Sequence, residues 1–105
     1  MDAFELEDLL AQASESETAY LEFLRVSDLS MGLYQLRSGE RDPQSPHNED
    51  EVYYVVEGRA KIRVGEELRR VQAGSIVYVA AQVPHKFIEI EEDLQILVFF
   101  APAES

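Results

Sequence analysis

The chain has 105 residues, of which 46% are hydrophobic and none is cysteine. This length fits one ordinary domain with its own core, and the lack of cysteine excludes disulfide frameworks, thiolate nucleophiles and cysteine zinc sites. The 21 acids against 9 bases give a net charge of -12, which repels phosphate backbones and anionic membranes, so we expect neither nucleic acid nor membrane as a partner.

The first residues, "MDAFELEDLL", are acidic where a signal peptide would be basic. No apolar run approaches the roughly 18 residues that a membrane helix needs. We therefore predict a cytoplasmic location, with which the absence of cysteine is compatible.

Residues 2–12 predict the one helix of the chain. Asp2 is placed to cap it, Glu5 follows three positions later as a capping-box partner, and an apolar stripe is formed by Phe4, Leu6, Leu9 and Leu10. A helix this short is stable only when it is docked on other structure. The polar stretch "AQASESET" then indicates a linker, so we predict a helix and linker over residues 1–18 and a β-domain over 19–105.

From Tyr20 onward, short β-rich runs alternate with turn residues, which is typical of a β-sandwich or barrel. We predict strands over residues 19–26, 30–37, 51–57, 59–64, 67–72, 75–80, 86–91 and 94–100. The run "RAKIRVG" alternates cleanly between apolar and basic residues, so one face of that strand meets water. In contrast, "VYYVV" and "LQILVFF" are apolar on both faces, which indicates that a second layer or a second subunit covers them.

The only two histidines stand near predicted strand starts. His47 precedes Glu51 by four residues, and His85 follows a proline. Side chains alternate along a strand, so Glu51 shares a face with Tyr53, and His85 shares one with Phe87 and Glu89. If both faces line one barrel interior, two imidazoles and one carboxylate converge, which is a workable site for a divalent Fe, Mn, Zn or Ni ion.

Plain structural interpretations of the same residues stay open at this point. A histidine followed by acids in a loop is usually a solvated turn, and the segment "HNEDE" also suits a charge cluster that keeps the loop soluble. His85 taken alone equally fits a satisfied histidine at the edge of a sheet.

The spacing of these residues resembles the first motif of the cupin superfamily. That motif runs Gly, five residues, His, one residue, His, three or four residues, Glu, six residues, Gly. This chain has Gly39, Ser45, His47, Glu51 and Gly58 at those positions, so four of the five residues match. The resemblance implies an antiparallel jelly-roll β-barrel, and it assigns His47 and Glu51 as metal ligands.

The second cupin motif is matched more weakly. It runs Gly, five residues, Pro, one residue, Gly, two residues, His, three residues, Asn, where this chain has Gly74, Ala80, Gln82, His85 and Glu89. Two of five residues match, and they include His85, which the resemblance makes the third ligand.

Two departures from the motifs bear on the site. Ser45 replaces a ligand histidine, and a hydroxyl is a poor ligand for a borderline ion, so we expect three protein ligands, with Gln44 lending an amide oxygen if the loop bends suitably. Glu89 replaces an asparagine and is either an acid or base beside the metal or a solvated residue. The aromatic residues Tyr34, Tyr53 and Phe87 either wall a ligand pocket, with Tyr53 as a second proton-transfer candidate, or belong to the core.

Two functions are compatible with this pattern. The first is a metal-dependent enzyme acting on a small oxygenated molecule, of dioxygenase, isomerase or lyase type as the resemblance allows, and the second is a non-catalytic module that binds a small ligand with a structural metal or none. A sensor domain of a transcription regulator is excluded, because residues 1–18 are acidic and too short for a helix-turn-helix. The doubly apolar strands and the resemblance together predict a homodimer.

Overall fold

The computed structural model describes all 105 residues. Its elements, in chain order, are α1 (Leu6–Glu15), β1 (Tyr20–Val26), β2 (Leu29–Leu36), β3 (Asp50–Val64), β4 (Glu67–Gln72), β5 (Ile76–Val79) and β6 (His85–Ala101). All strand pairs are antiparallel, and the strands run in the order β1-β2-β6-β3-β4, with β5 paired to the first part of β3. The prediction of an all-β antiparallel domain with a short N-terminal helix is confirmed.

Two of the strands are longer than the sequence predicted. The predicted strands 51–57 and 59–64 form the single strand β3, and the predicted strands 86–91 and 94–100 form β6. These two long strands pair from one end to the other, with register shifts near Gly58. Gly58 has φ +100, and a Cβ atom there would contact the backbone of Asp93. Only glycine therefore fits at this point, where the strand bends and continues instead of ending.

The inward faces of both halves of the long strands share one core of 14 buried residues. In β3, Tyr53 and Val55 come from the first half and Ala60 and Ile62 from the second, all at most 5% exposed. These two halves can contribute to one core because the sheet curls upon itself. The alternation predicted for "RAKIRVG" is confirmed, since its basic side chains face outward.

Helix α1 packs on the outer face of the sheet, where Leu9 and Ala13 are buried against Leu33. It begins at Leu6 with Glu5 as N-cap, and no side chain caps it, so the prediction that Asp2 caps a helix over 2–12 was wrong. Leu9 and Ala13, one turn apart, form the buried face of this helix. No helix of the chain combines the length and the apolar character needed to cross a bilayer.

Candidate metal centre and its cavity

The curl of the sheet brings the two histidines together. Glu51 lies at the beginning of β3, whereas His85 pairs with Val64 at the far end of the same strand. His47 lies in the segment that leads into β3, and its ring centroid is 5.2 Å from that of His85. One ligand atom from each of His47, Glu51 and His85 lies within 4.8 Å of the others.

Glu51 is the shared neighbour of both rings. Its Oε1 atom is 2.8 Å from His85 Nε2 and 3.8 Å from His47 Nε2. The side chains of Glu51 and His85 are each 1% exposed, whereas that of His47 is 19% exposed. The group is therefore closed on the His85 side and open to the surroundings on the His47 side.

The contacts of the two Nδ1 atoms bear on how the two histidine rings are oriented. His85 Nδ1 lies 2.9 Å from the carbonyl oxygen of Val83, and His47 Nδ1 lies 3.2 Å from a carboxylate oxygen of Glu104. Both partners only accept, so each Nδ1 can carry its hydrogen toward an acceptor while Nε2 presents a lone pair to a metal. Metal-binding histidines are commonly held this way, with the second nitrogen bonded to a carbonyl or a carboxylate. The hydrogen bond that His47 itself forms is between Nε2 and the Oε1 atom of Gln44, at 3.2 Å.

The polar atoms at the centre of the group fit a cation. Both carboxylate oxygens of Glu51 and the Nε2 atom of His85 are buried without a hydrogen-bond partner, although Glu51 Oε1 and His85 Nε2 lie 2.8 Å apart. Buried polar atoms without partners are costly and uncommon in folded proteins. One divalent ion would satisfy all of them, and two nitrogens with a carboxylate suit Fe, Mn, Zn or Ni.

The same environment acts on the protonation of His85. Burial lowers the pKa of His85, but the Glu51 carboxylate and the Val83 carbonyl outweigh it, so the net pKa lies above its ordinary value. The surroundings of the His85 ring therefore favour a positive charge.

Glu104 is a site residue that the sequence did not reveal. Its backbone N–H donates to Ser30 Oγ at 2.9 Å, and its carbonyl oxygen accepts from Arg25 at 2.7 Å. These bonds hold the segment after β6 across β1 and β2, with the carboxylate against His47. No spacing rule links the stretch "APAES" to a histidine more than fifty residues earlier, so nothing in the sequence pointed to it.

A cavity of about 130 Å³ adjoins His47. Its walls are formed by Tyr20, Tyr34, Gln44, His47, Val98, Phe100 and Glu104. The hydroxyl group of Tyr20 is buried without a partner, and burial, followed by the nearby Glu104, raises its pKa. Tyr20 crosses directly over Gly32, where a Cβ atom would contact its ring, and this explains the only glycine inside β2. The cavity thus offers a small ligand one free hydroxyl donor.

Comparisons with known proteins agree with this arrangement. A sequence model of the cupin domain matches residues 32–100. The chain belongs to the cupin family. A protein of Streptomyces coelicolor described as uncharacterized is 53% identical to this cupin over all 105 residues, with full coverage of both chains.

Solved structures show the same fold. The protein TT1209 from Thermus thermophilus is 28% identical, with a TM-score of 0.81, and the match covers 98% of this cupin and 99% of that chain. The DMSP lyase DddQ from Ruegeria pomeroyi is 22% identical, with a TM-score of 0.67, over 72% of this cupin and 39% of that chain. The predicted jelly-roll fold is confirmed.

The pocket residues predicted for this cupin divide into three groups. Tyr34 and Gln44 line the cavity beside His47. Tyr53 and Phe87 are only 0% and 1% exposed and belong to the core. The Tyr53 hydroxyl donates to Gln44 Oε1 at 2.9 Å, so the structure gives Tyr53 a positioning contact where the sequence suggested proton transfer. Ser45 is exposed and lines no cavity of the site.

Glu89 lies outside the site. Its side chain is 60% exposed and forms an ion pair with Lys61 at 3.0 Å. The prediction that it shares a face with His85 and Phe87 assumed regular alternation, but Glu89 has φ +48, which breaks the alternation and turns Ile90 inward instead. The structure therefore places Glu89 in the solvated position, which was the second of the two alternatives that the sequence left open.

Proposed function

We propose that this cupin is a metal-dependent enzyme that acts on a small oxygenated molecule, with His47, Glu51 and His85 holding one divalent ion. The observation that carries the proposal is the set of buried, unpartnered atoms of Glu51 and His85, which lie with His47 within 4.8 Å of one another. Fe, Mn, Zn and Ni all suit this donor set.

The cavity beside His47 supports a small substrate. Val98 and Phe100 form its apolar wall, and the free hydroxyl of Tyr20 is placed to donate a hydrogen bond to a ligand oxygen. A bound divalent ion supplies Lewis acidity toward such an oxygen. A fold shared with at least one protein described as a lyase is compatible with this chemistry.

The alternative is a module that binds a small ligand without turnover. The position of Glu89 favours it, because the carboxylate expected to transfer protons points to solvent. Turnover separates the two functions: a panel of small keto acids, diols and sugars, assayed with each of the four metals, should yield product only if the enzyme proposal is correct.

Metal content tests the proposed site directly. Protein purified without a histidine tag should contain about one divalent ion per chain, and the variants H47A, H85A and E51Q should lose it. E89Q is the matched control, since it removes the same charge from an exposed position and should keep the ion. Equal metal content in E51Q and E89Q would refute the proposed ligands.

We also propose a cytoplasmic homodimer. The outer face of β3 and β5 exposes Tyr54, Ile76 and Tyr78 at 38%, 71% and 61%. Their register places them side by side, with Tyr54 opposite Ile76 and Val52 opposite Tyr78. A second copy covering this apolar surface would remove it from water, and sedimentation equilibrium measures whether the mass is that of two chains.

A further inference from the structure

Gln44 stands next to the position where the motif lacks its histidine, and the structure turns its side chain toward the metal centre. Its Oε1 atom lies 3.2 Å from His47 Nε2, while the neighbouring Ser45 is exposed. Gln44 lines both the cavity beside His47 and a second one beside His85. It is therefore placed between the two histidines.

A buried carboxylate determines which end of the Gln44 amide faces the site. Asp42 is 3% exposed and accepts hydrogen bonds from the Tyr34 hydroxyl at 2.7 Å and the Phe87 N–H at 2.9 Å. It also accepts from the backbone N–H of Gln44 at 3.2 Å and from Gln44 Nε2 at 2.7 Å. Because Asp42 can only accept here, the amide nitrogen must face it, and the amide oxygen faces His47.

The Oε1 atom of Gln44 faces the Nε2 atom of His47. Tyr53 donates one hydrogen bond to Oε1, which leaves a second lone pair free. His47 Nε2 forms a hydrogen bond with this oxygen at 3.2 Å, but a metal held by Nε2 needs the lone pair of that nitrogen. The ring hydrogen then lies on Nδ1, 3.2 Å from a carboxylate oxygen of Glu104. In that tautomer two acceptors lie 3.2 Å apart, and a cation between them would satisfy both.

Two of the distances between the candidate ligand atoms suit such a cation. Ligands on neighbouring corners of an octahedron lie about 3.0 Å apart when each is about 2.1 Å from the metal. Gln44 Oε1 and His47 Nε2 are 3.2 Å apart, and Glu51 Oε1 and His85 Nε2 are 2.8 Å apart.

We propose that Gln44 Oε1 is a fourth protein ligand of the metal and takes the role that the motif gives to position 45. The inference rests on the proposed metal site and adds an oxygen donor to it. A set of two imidazoles, one carboxylate and one amide oxygen disfavours soft ions such as Cu(I) and leaves open positions on a six-coordinate ion.

Calorimetric titration of the metal-free protein with Mn²⁺, and separately with Zn²⁺, measures the metal affinity and tests the role of Gln44. Q44L keeps the side-chain volume but removes the oxygen, and it should weaken binding by about tenfold or more. S45A, the adjacent control, should bind like the parent. Bound Mn²⁺ in Q44L should also relax solvent water more strongly, because water replaces the lost oxygen, and a loss of packing alone would not produce this effect.

A measurement on the parent protein avoids dependence on the folding of Q44L. The ¹³C signal of the Gln44 side-chain carbonyl should shift on addition of Zn²⁺, while that of Gln35, whose amide bonds to helix α1, should not. If the parent binds metal but Q44L binds equally and the Gln44 signal stays unchanged, the inference is overturned and the three-residue site stands. If the parent binds no metal, the proposed function fails as well.

Discussion

The contact between Glu104 and His47 allows a quantitative test of how the site is built. In E104A the Nδ1 atom of His47 loses its acceptor, and the neutral ring is then free to move its hydrogen to Nε2, where it blocks metal binding. Removal of a partner that orients a ligand histidine costs about 10- to 100-fold in metal affinity. This corresponds to about 1.4–2.7 kcal/mol.

The assay is calorimetric titration of Zn²⁺ into metal-free protein, with two comparison variants. E89A removes an equal charge from an exposed position and should leave the affinity unchanged. E104Q removes the charge but retains an acceptor oxygen, and it should bind more tightly than E104A. The orienting role would be refuted if E104A bound as tightly as E89A and ¹⁵N spectra of His47 showed the same hydrogen on Nδ1 in parent and variant.

Two further predictions concern stability. Ala at Gly58 must adopt φ +100 and also displace the backbone of Asp93, so G58A should lower the free energy of unfolding by about 2 kcal/mol or more, measured with urea. Gly74 has φ +95 but open space around it, so G74A should lose less free energy of unfolding than G58A. Equal losses in the two variants would contradict the steric part of this reasoning. Burial and the hydrogen bond to Asp42 raise the pKa of Tyr34 in the folded protein. The contribution of Tyr34 to the free energy of unfolding is therefore complete below about pH 10, and it declines above this pH, where the tyrosine of the unfolded chain ionises. Y34F should therefore lose less stability than the parent between pH 9 and pH 11, and an identical loss would show that Tyr34 does not titrate as proposed.

The resemblance to the cupin motifs was sufficient to find the central residues. Glu51 and His47 lie close in sequence, and His85 stands in register with a second motif, so a resemblance based on counting located all three. The alternation of Ala60 and Ile62 with basic residues likewise followed from the period of a β-strand, which depends only on local backbone geometry.

The same local reasoning failed where the backbone leaves its regular path. Glu89 was assigned to the inner face by alternation, and its positive φ moved it to solvent. Gly58 was read as the end of a strand, but its freedom of φ allows the strand to bend and continue. Helix α1 was placed too early, because its capping pattern was weighed without knowing which side chains the sheet would bury.

The sequence by itself determined the fold class, because the alternation of side chains follows the period of a β-strand, and its resemblance to the cupin motifs pointed to the three ligand candidates. It did not determine where the long strands β3 and β6 end. Only the tertiary structure revealed which distant groups contact the candidate ligands: Glu104 lies against His47, and Asp42 lies against Gln44. Asp42 accepts a hydrogen bond from the Phe87 N–H, and the N–H of Glu104 donates one to Ser30 Oγ. Both bonds join segments that are far apart in sequence. The curl of one sheet creates these contacts, and no local pattern of residues encodes which distant acceptor will meet a given donor.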